Sequence, residues 1–287
     1  DQVRKIVNTK GMPVTLSIGL SIAAEQTLKE LGEEAEEKLD LALGRGGDQV
    51  ALDMNGKTQF FGGKAKAVEK HTRVKARVVA HALRDIMEAA DTVYVMGHHN
   101  EDYDCFGAAL GVACMARALG KPVHIVLSDM NEGIDRFEDV LRKEELYEGL
   151  FVRAGDVSGV ASLTALLVVV DAHIPHILAE PSLLVHVPKV VVIDHHRRSE
   201  QFVKNPLLVY IETSSSSASE LVTELLMYFS DNVRLTKYDA TALYAGIVVD
   251  TKNFNVGAGV RTFDAAAYLR RAGADPVLVR SLFQSDY

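Results

Sequence analysis

The stretch 93–104 reads VYVMGHHNEDYD and joins a short apolar run to a polar cluster. Similar runs rich in β-branched residues recur further along the chain, separated by segments of helical periodicity. They cover residues 93–96, 123–127, 166–170 and 190–193. Strands that are apolar at nearly every position are typical of a parallel sheet covered on both faces. Residues 92–287 are therefore predicted to form a doubly wound α/β domain with a mainly parallel sheet, in which a ligand binds beyond the carboxyl ends of the strands.

Acidic and imidazole side chains directly follow three of these runs, and a fourth apolar stretch, 245–249, leads into another aspartate. The residues concerned are His98, Asp102, Asp104, Asp171, Asp194, His195, His196 and Asp250. If the sheet is parallel, these side chains converge at one edge. A single aspartate after a strand is usually a helix cap, and paired histidines are often surface residues. Their joint placement instead favours a metal site.

The types of side chain indicate which ions such a site would take. Imidazoles with carboxylates suit Mn²⁺, Fe²⁺ or Zn²⁺, and a set rich in carboxylates favours Mn²⁺. In the spacing His98-x3-Asp102-x-Asp104, a tight loop turns the first two residues toward one ion and the third toward a neighbour, and Asp171 would then bridge the pair. Two ions about 4 Å apart are a common device for phosphoryl chemistry.

Composition limits the classes of protein to consider. The chain has 287 residues and a net charge of −8, which argues against a general nucleic-acid coat and against a duplex nucleic-acid partner. Residues 1–91 carry 14 basic and 14 acidic side chains, whereas 92–287 carry 17 and 25, so the acidic excess lies in the predicted α/β domain. Cys105 and Cys114 are too few for a disulfide framework and are predicted to be buried. The longest apolar run is about eight residues, too short to span a bilayer.

The N-terminal part has a different texture. Residues 14–21 alternate as a strand does, 33–43 repeat at helical spacing, and 49–52 and 58–61 flank an Asn-Gly pair typical of a hairpin turn. A long helix is predicted over 65–90. We therefore expect three segments, and their bounds are 1–64, 65–91 and 92–287. The first is a small α+β unit, the second a linker helix and the third the α/β domain.

These motifs together resemble the DHH phosphoesterase superfamily, which is named for the triplet seen here as Asp194-His195-His196. The resemblance extends through His98-x3-Asp102-x-Asp104, the sequence Val-Val-Asp ending at Asp171, and 246–251. The superfamily includes manganese-dependent pyrophosphatases, single-strand exonucleases, oligoribonucleases and cyclic-dinucleotide phosphodiesterases. Residues 17–50 resemble the C-terminal part of a degenerate GGDEF domain, and 60–77 resemble its connection to the DHH domain in GdpP-type cyclic-di-AMP phosphodiesterases.

The resemblance implies a site with two Mn²⁺ ions, with Fe²⁺ or Co²⁺ as alternatives. His98, Asp102 and Asp171 would hold one ion, and Asp171 would also contribute to the other, together with Asp104, His195 and Asp250. Asp194 and His196 would be the catalytic residues: Asp194 would orient His195, and His196 would contact the phosphate and stabilise it or protonate the leaving oxygen.

Substrate contacts are implied less specifically. Ser214, Ser215 and Ser216 lie in a serine run before a predicted helix, so their hydroxyls and the free N–H groups of that helix would face the phosphate. The alternative is a polar loop that ends in a helix cap. Arg197, after the triplet, is a weaker phosphate ligand, and surface charge explains it equally well.

The activity that the resemblance implies is hydrolysis of cyclic di-AMP to 5′-pApA. The alternatives are an oligoribonuclease or pApA hydrolase of the same superfamily, or a non-catalytic module that binds nucleotide or metal. The chain is expected to be a soluble piece of a longer protein, which upstream segments would anchor at the cytoplasmic face of the membrane and in which a DHH-associated domain would follow. A homodimer is one expected assembly.

Overall fold

The computed structural model describes residues 16–22, 27–44, 47–54, 57–62, 72–128, 134–157 and 162–283. The chain divides into two compact units. The smaller contains residues 1–69 with 197–200 and 212–214, and the larger contains the rest of the chain.

The smaller unit contains a three-stranded sheet and one helix. Its elements are β1 (Ile18–Ile22), α1 (Leu28–Gly44), β2 (Gln49–Met54) and β3 (Lys57–Gly62). The order is β1-β2-β3, with β1 parallel to β2 and β2 antiparallel to β3. The pairing of Met54 with Lys57 confirms the predicted hairpin, although its Asn55-Gly56 turn lies outside the described residues, as do Val14 and Thr15 of the predicted first strand.

The larger unit is built on a six-stranded sheet in which every neighbouring pair is parallel. Its strands are β4 (Val93–Met96), β5 (Val123–Leu127), β6 (Phe151–Arg153), β7 (Leu166–Val170), β8 (Lys189–Asp194) and β9 (Leu208–Ile211). Their order is β6-β5-β4-β7-β8-β9, which confirms the predicted doubly wound parallel sheet. The chain direction across the sheet reverses between β4 and β7, the place where such sheets bind ligands.

Helices cover both faces of this sheet. They are α2 (Thr72–Glu88), α3 (Tyr103–Ala118), α4 (Asp135–Leu141), α5 (Ala154–Val157), α6 (Leu183–His186), α7 (Ala218–Phe229), α8 (Lys237–Asp250), α9 (Val260–Arg271) and α10 (Pro276–Phe283). Alternate residues of each central strand enter different cores: Val95 and Val168 pack with α3, α7 and α8, whereas Met96 and Val169 pack on the opposite face. Burial on both faces explains why the strands are apolar throughout.

The structure refines the bounds of the predicted linker helix and confirms the burial of both cysteines. The linker helix predicted over 65–90 is described as α2 from Thr72, since 63–71 lie outside the described residues. Cys105 and Cys114 are buried free thiols, as predicted. In the part of the chain that the structure describes, none of the helices combines the length and apolarity needed to span a bilayer.

The apolar stretch 245–249 belongs to a helix and not to a strand. It forms the last turns of α8, which begins with a capping box between Thr236 and Asp239. The helix is buried on most sides and packs against α3, so its sequence lacks an amphipathic period. A buried helix and a buried strand then look alike over five residues. Asp250 therefore reaches the site from the end of a helix.

Candidate metal centre

Asp171 lies directly after β7, beside the point where the strand order reverses. Its backbone has a φ of 55°, in the left-handed region that non-glycine residues seldom adopt. The backbone N–H donates to the carbonyl of Ile193 over 3.0 Å, and the side chain is only 4% exposed. This conformation turns the carboxylate inward, between the ends of β4 and β8.

One group of side chains gathers around the Oδ2 atom of Asp171. His98 Nε2 lies 3.5 Å from Asp171 Oδ2 and 3.9 Å from Asp102 Oδ1. Asp102 is also the N-cap of α3, where its Oδ1 accepts hydrogen bonds from the backbone N–H groups of Asp104 and Cys105 over 2.9 and 3.0 Å. Potential ligand atoms of His98, Asp102 and Asp171 all lie within 4.8 Å of one another.

A second group gathers on the other side of Asp171. His195 Nε2 lies 3.3 Å from Asp171 Oδ1, 3.3 Å from Asp250 Oδ2 and 3.7 Å from Asp104 Oδ2. Ligand atoms of Asp104, His195 and Asp250 are within 4.8 Å of one another. The structure thus brings together all six side chains that the resemblance assigns to metal ligands, in the two groups expected, with Asp171 between them.

Asp104 is held in place by the start of α7. Its two carboxylate oxygens accept hydrogen bonds from the backbone N–H groups of Ala218 and Ser219 over 2.7 and 2.8 Å, and its side chain is fully buried. Gly246 of α8 allows this approach, because a Cβ there would lie 2.8 Å from the Asp104 Cα. Asp104 therefore depends on the packing of three helices.

The carboxylates give the two imidazoles unusual protonation properties. Burial opposes a charged ring at His98, but the close approach of the Asp171 carboxylate and the other nearby negative charges outweigh burial and raise the His98 pKa to about 9. At His195, burial is likewise outweighed by the nearby carboxylates of Asp171, Asp104 and Asp250, and the pKa is raised to about 9. Without a cation, these rings act as the local positive charges.

The carboxyl groups respond in different directions. Burial and the neighbouring negative charges raise the pKa of Asp104 well above its usual value, and they raise that of Asp250 to about 6. Burial also disfavours the charged form of Asp171, but the nearby imidazoles of His195 and His98 lower its pKa. Carboxyl groups crowded together in this way are stabilised when positive charge lies among them.

The residues present fit divalent metal ions. The donor set is two imidazoles and four carboxylates, a combination suited to Mn²⁺, Fe²⁺ or Zn²⁺. In addition, Asp171 Oδ1 is buried and, among the described residues, has the 3.3 Å contact with His195 Nε2 but accepts no hydrogen bond of normal geometry. Burying a carboxylate oxygen that accepts no hydrogen bond costs free energy unless a cation or a water molecule binds to it.

Asp194 contacts different histidines from the one expected. Its Oδ2 lies 2.5 Å from His173 Nδ1, and its Oδ1 accepts from the backbone N–H and the Nδ1 of His196 over 3.0 and 2.9 Å. The expectation that Asp194 orients His195 is therefore wrong, because His195 points to Asp104, Asp171 and Asp250 instead. Sequence reasoning also missed His173, although its position two residues after Asp171 placed it near the site.

The serine run is engaged within the protein. Ser214 Oγ donates to Glu212, Ser215 Oγ to the Ser217 carbonyl and Ser216 Oγ to Glu220. The first N–H groups of α7 are not free as expected, because Ala218 and Ser219 donate to Asp104 and Glu220 donates to the Ser217 hydroxyl. This is the helix cap given as the alternative. Arg197 is exposed, and its role toward phosphate, like that of the serines, stays a prediction.

Comparison with known proteins assigns the class. Residues 92–247 match the model of the DHH family, N-terminal domain, and this match covers more than half of the chain. The chain therefore belongs to the DHH family. Residues 1–60 match a second model, described as the GGDEF domain of cyclic-di-AMP phosphodiesterase GdpP-like proteins.

Individual relatives narrow the comparison. The chain is 45% identical over 287 residues to the cyclic-di-AMP phosphodiesterase GdpP of Bacillus subtilis, covering 99% of this chain and 43% of that protein. It is 43% identical over 297 residues to the cyclic-di-AMP phosphodiesterase PdeA of Listeria monocytogenes, covering 100% of this chain and 44% of that protein. The chain thus spans less than half the length of these two relatives.

A solved structure supports the fold. The crystal structure of an exopolyphosphatase-related protein from Bacteroides fragilis superposes with a TM-score of 0.55 at 18% identity, covering 74% of this chain and 61% of that one. At this identity the likeness shows the architecture alone.

Proposed function

We propose that the two groups of side chains hold two divalent ions, with Asp171 shared between them. His98, Asp102 and Asp171 Oδ2 would bind one ion. Asp104, His195 and Asp250 would bind the other ion together with Asp171 Oδ1. The observation that carries this proposal is the placement of Asp171, whose Oδ2 and Oδ1 face different imidazoles at 3.5 and 3.3 Å. A carboxylate-rich set favours Mn²⁺, and Fe²⁺ or Co²⁺ would also suit it.

The reaction that this site supports best is hydrolysis of cyclic di-AMP to 5′-pApA. Bound divalent ions would lower the pKa of the attacking water and neutralise charge on the phosphate. Water would add to one phosphorus atom, the bond to the ribose O3′ would break, and the O3′ would take up a proton. The B. subtilis and L. monocytogenes relatives, both named as cyclic-di-AMP phosphodiesterases, support this choice of substrate.

We infer that His196 supplies that proton. Its Nδ1 is hydrogen bonded to Asp194, while 58% of the side chain remains exposed, so Nε2 is the ring nitrogen available to a substrate. The hydrogen bond with Asp194 raises the pKa of His196, which favours the protonated form of the ring. A protonated imidazole beside the reacting phosphate can act as the general acid.

The acidity of the larger unit is consistent with a polyanionic substrate once ions are included. Residues 92–287 have a formal charge of −8, and four of the negative charges belong to Asp102, Asp104, Asp171 and Asp250. Two divalent ions would halve the excess to −4 and make the site attractive to phosphate.

A substrate panel tests the proposal. The purified protein is incubated with Mn²⁺ and either cyclic di-AMP or pApA, and products are separated by ion-exchange chromatography. We expect cyclic di-AMP to give pApA, and we expect His196→Gln to bind Mn²⁺ normally while turning over slowly. Release of AMP from pApA with cyclic di-AMP untouched would support the oligoribonuclease alternative. Binding of cyclic di-AMP without hydrolysis would support a non-catalytic module.

We also propose that the protein forms a homodimer. A longer protein that contains this chain would lie at the cytoplasmic face of the membrane. Size measurement by light scattering and fractionation of cells that express the longer protein would test them separately.

A further inference from the structure

A chain of three polar side chains, two of them buried, lies beside the proposed metal centre. His173 Nδ1 is 2.5 Å from Asp194 Oδ2, and Asp194 Oδ1 is 2.9 Å from His196 Nδ1. His173 and Asp194 are 3% and 0% exposed, whereas His196 reaches the solvent-facing side of the site. Only the last member of the chain is therefore open to a substrate.

We propose that His173 is a positioning residue, which fixes Asp194 so that Asp194 holds the ring of His196 in one orientation, with Nδ1–H bonded to Asp194 and Nε2 facing the substrate. This inference rests on the proposed function, since it concerns the group that would protonate the leaving oxygen. His173 itself touches neither substrate nor ion, and it acts through Asp194.

The surroundings of His173 make it a rigid support. Its ring stacks on Phe202 with a centroid separation of 5.2 Å and an interplanar angle of 28°. Its carbonyl accepts a hydrogen bond from the Val203 N–H over 3.0 Å, so the backbone is tied to the same segment. A ring fixed by stacking, backbone pairing and burial has little freedom to turn. The Nδ1–H can therefore define where the Asp194 carboxylate lies.

Asp194, held in this way, in turn sets the orientation of the His196 ring. As an ionised carboxylate it only accepts hydrogen bonds, so each imidazole nitrogen that faces it must carry hydrogen. With Oδ2 engaged by His173, Oδ1 is left for both the backbone N–H and the Nδ1 of His196. This fixes Nε2 as the nitrogen directed to the substrate, in the same way that a buried aspartate sets the tautomer of a catalytic histidine.

Two substitutions at His173 separate positioning from simple packing. His173→Leu fills the space without a donor, whereas His173→Asn places an amide N–H near the position of Nδ1. We expect His173→Leu to lower kcat about 10- to 100-fold, the range for loss of a supporting hydrogen bond around a metal site. KM and the number of bound Mn²⁺ ions should stay the same, and His173→Asn should recover most of the rate. Equal loss in both variants, or full activity in both, would overturn the proposal.

A second measurement does not depend on turnover. Proton NMR of the metal-free protein should show a downfield Nδ1–H resonance of His196, assigned by its disappearance in His196→Gln. We expect this resonance to broaden through solvent exchange in His173→Leu and to persist in His173→Asn. If the wild-type protein hydrolyses no phosphodiester, the proposed function fails, but this test still decides the role of His173. An unchanged resonance in His173→Leu would contradict it.

Discussion

Replacing Asp171 by Asn should strongly weaken the binding of both ions while leaving the fold intact. Asn is almost isosteric with Asp and tolerates the φ of 55° at this position, so the backbone keeps its left-handed conformation. The substitution removes one negative charge from between His98 and His195, whose Nε2 atoms lie 3.5 and 3.3 Å away. Metal affinity, and not folding, is therefore the quantity that should change.

The size of the effect follows from Coulomb's law. With an effective dielectric constant of about 20, two unit charges separated by the 3.3 to 3.5 Å seen around Asp171 interact by roughly 5 kcal/mol. The amide oxygen and water replace part of this, so we expect a loss of at least about 3 kcal/mol per ion. That corresponds to more than about a 100-fold weaker affinity, since about 1.4 kcal/mol is a factor of ten.

Isothermal titration with Mn²⁺ measures this directly, and two matched variants give the pattern its specificity. Asp102→Asn and Asp250→Asn each change one group only, so each should bind one ion where the wild-type protein binds two. Thermal unfolding of the metal-free variants checks that all remain folded. Two ions bound by Asp171→Asn with affinity close to that of the wild-type protein would refute the shared-carboxylate geometry.

Two further predictions concern pH and packing. Because the pKa values of His98 and His195 are raised to about 9, their charge stabilises the metal-free protein fully below the unfolded value of about 6.5 and this stability is lost as pH rises to 9. Mn²⁺ affinity should rise over the same interval, because the ion displaces protons; titration at several pH values checks this, and an affinity independent of pH would contradict it. Gly246→Ala should weaken Mn²⁺ binding at least about tenfold, because the added Cβ would lie 2.8 Å from the Asp104 Cα. It should also lower the free energy of unfolding by about 1–2 kcal/mol, because overpacking strain of up to about 3 kcal/mol exceeds the helix-propensity gain of about 1 kcal/mol. Gly111→Ala, which crowds Val222 within 2.5 Å, is the control: chemical denaturation should show a similar loss of stability with normal Mn²⁺ affinity, and equal loss of metal binding in both variants would count against the prediction.

The sheet was predictable because its central strands are buried on both faces. The runs 93–96, 123–127 and 166–170 coincide with β4, β5 and β7, and 190–193 lies within β8. β6 was missed because it is only three residues long and ends in Arg153. The edge strand β9 was missed although it lies in the apolar run 207–211, and its Val209 is exposed. Strand order also lies beyond sequence periodicity, since it depends on how the crossover helices pack.

The candidate site was predictable as a set of residues and less so as a network. The six proposed ligands follow from the resemblance, and the structure brings them together. The partners of Asp194 were not predictable, because a carboxylate at a strand end can reach either neighbouring strand. Its choice of His173 depends on the packing of Phe202. The sequence placed Asp250 after an apolar stretch without assigning its structure, and Asp250 lies at the end of α8, which packs closely against α3 at Gly246.

The most direct test of the two-ion centre is anomalous diffraction from crystals grown with Mn²⁺, collected at energies on either side of the manganese edge. We expect two anomalous peaks, one among His98, Asp102 and Asp171, and one among Asp104, His195 and Asp250, with Asp171 contacting both. A single peak, or peaks away from Asp171, would contradict a shared two-ion centre.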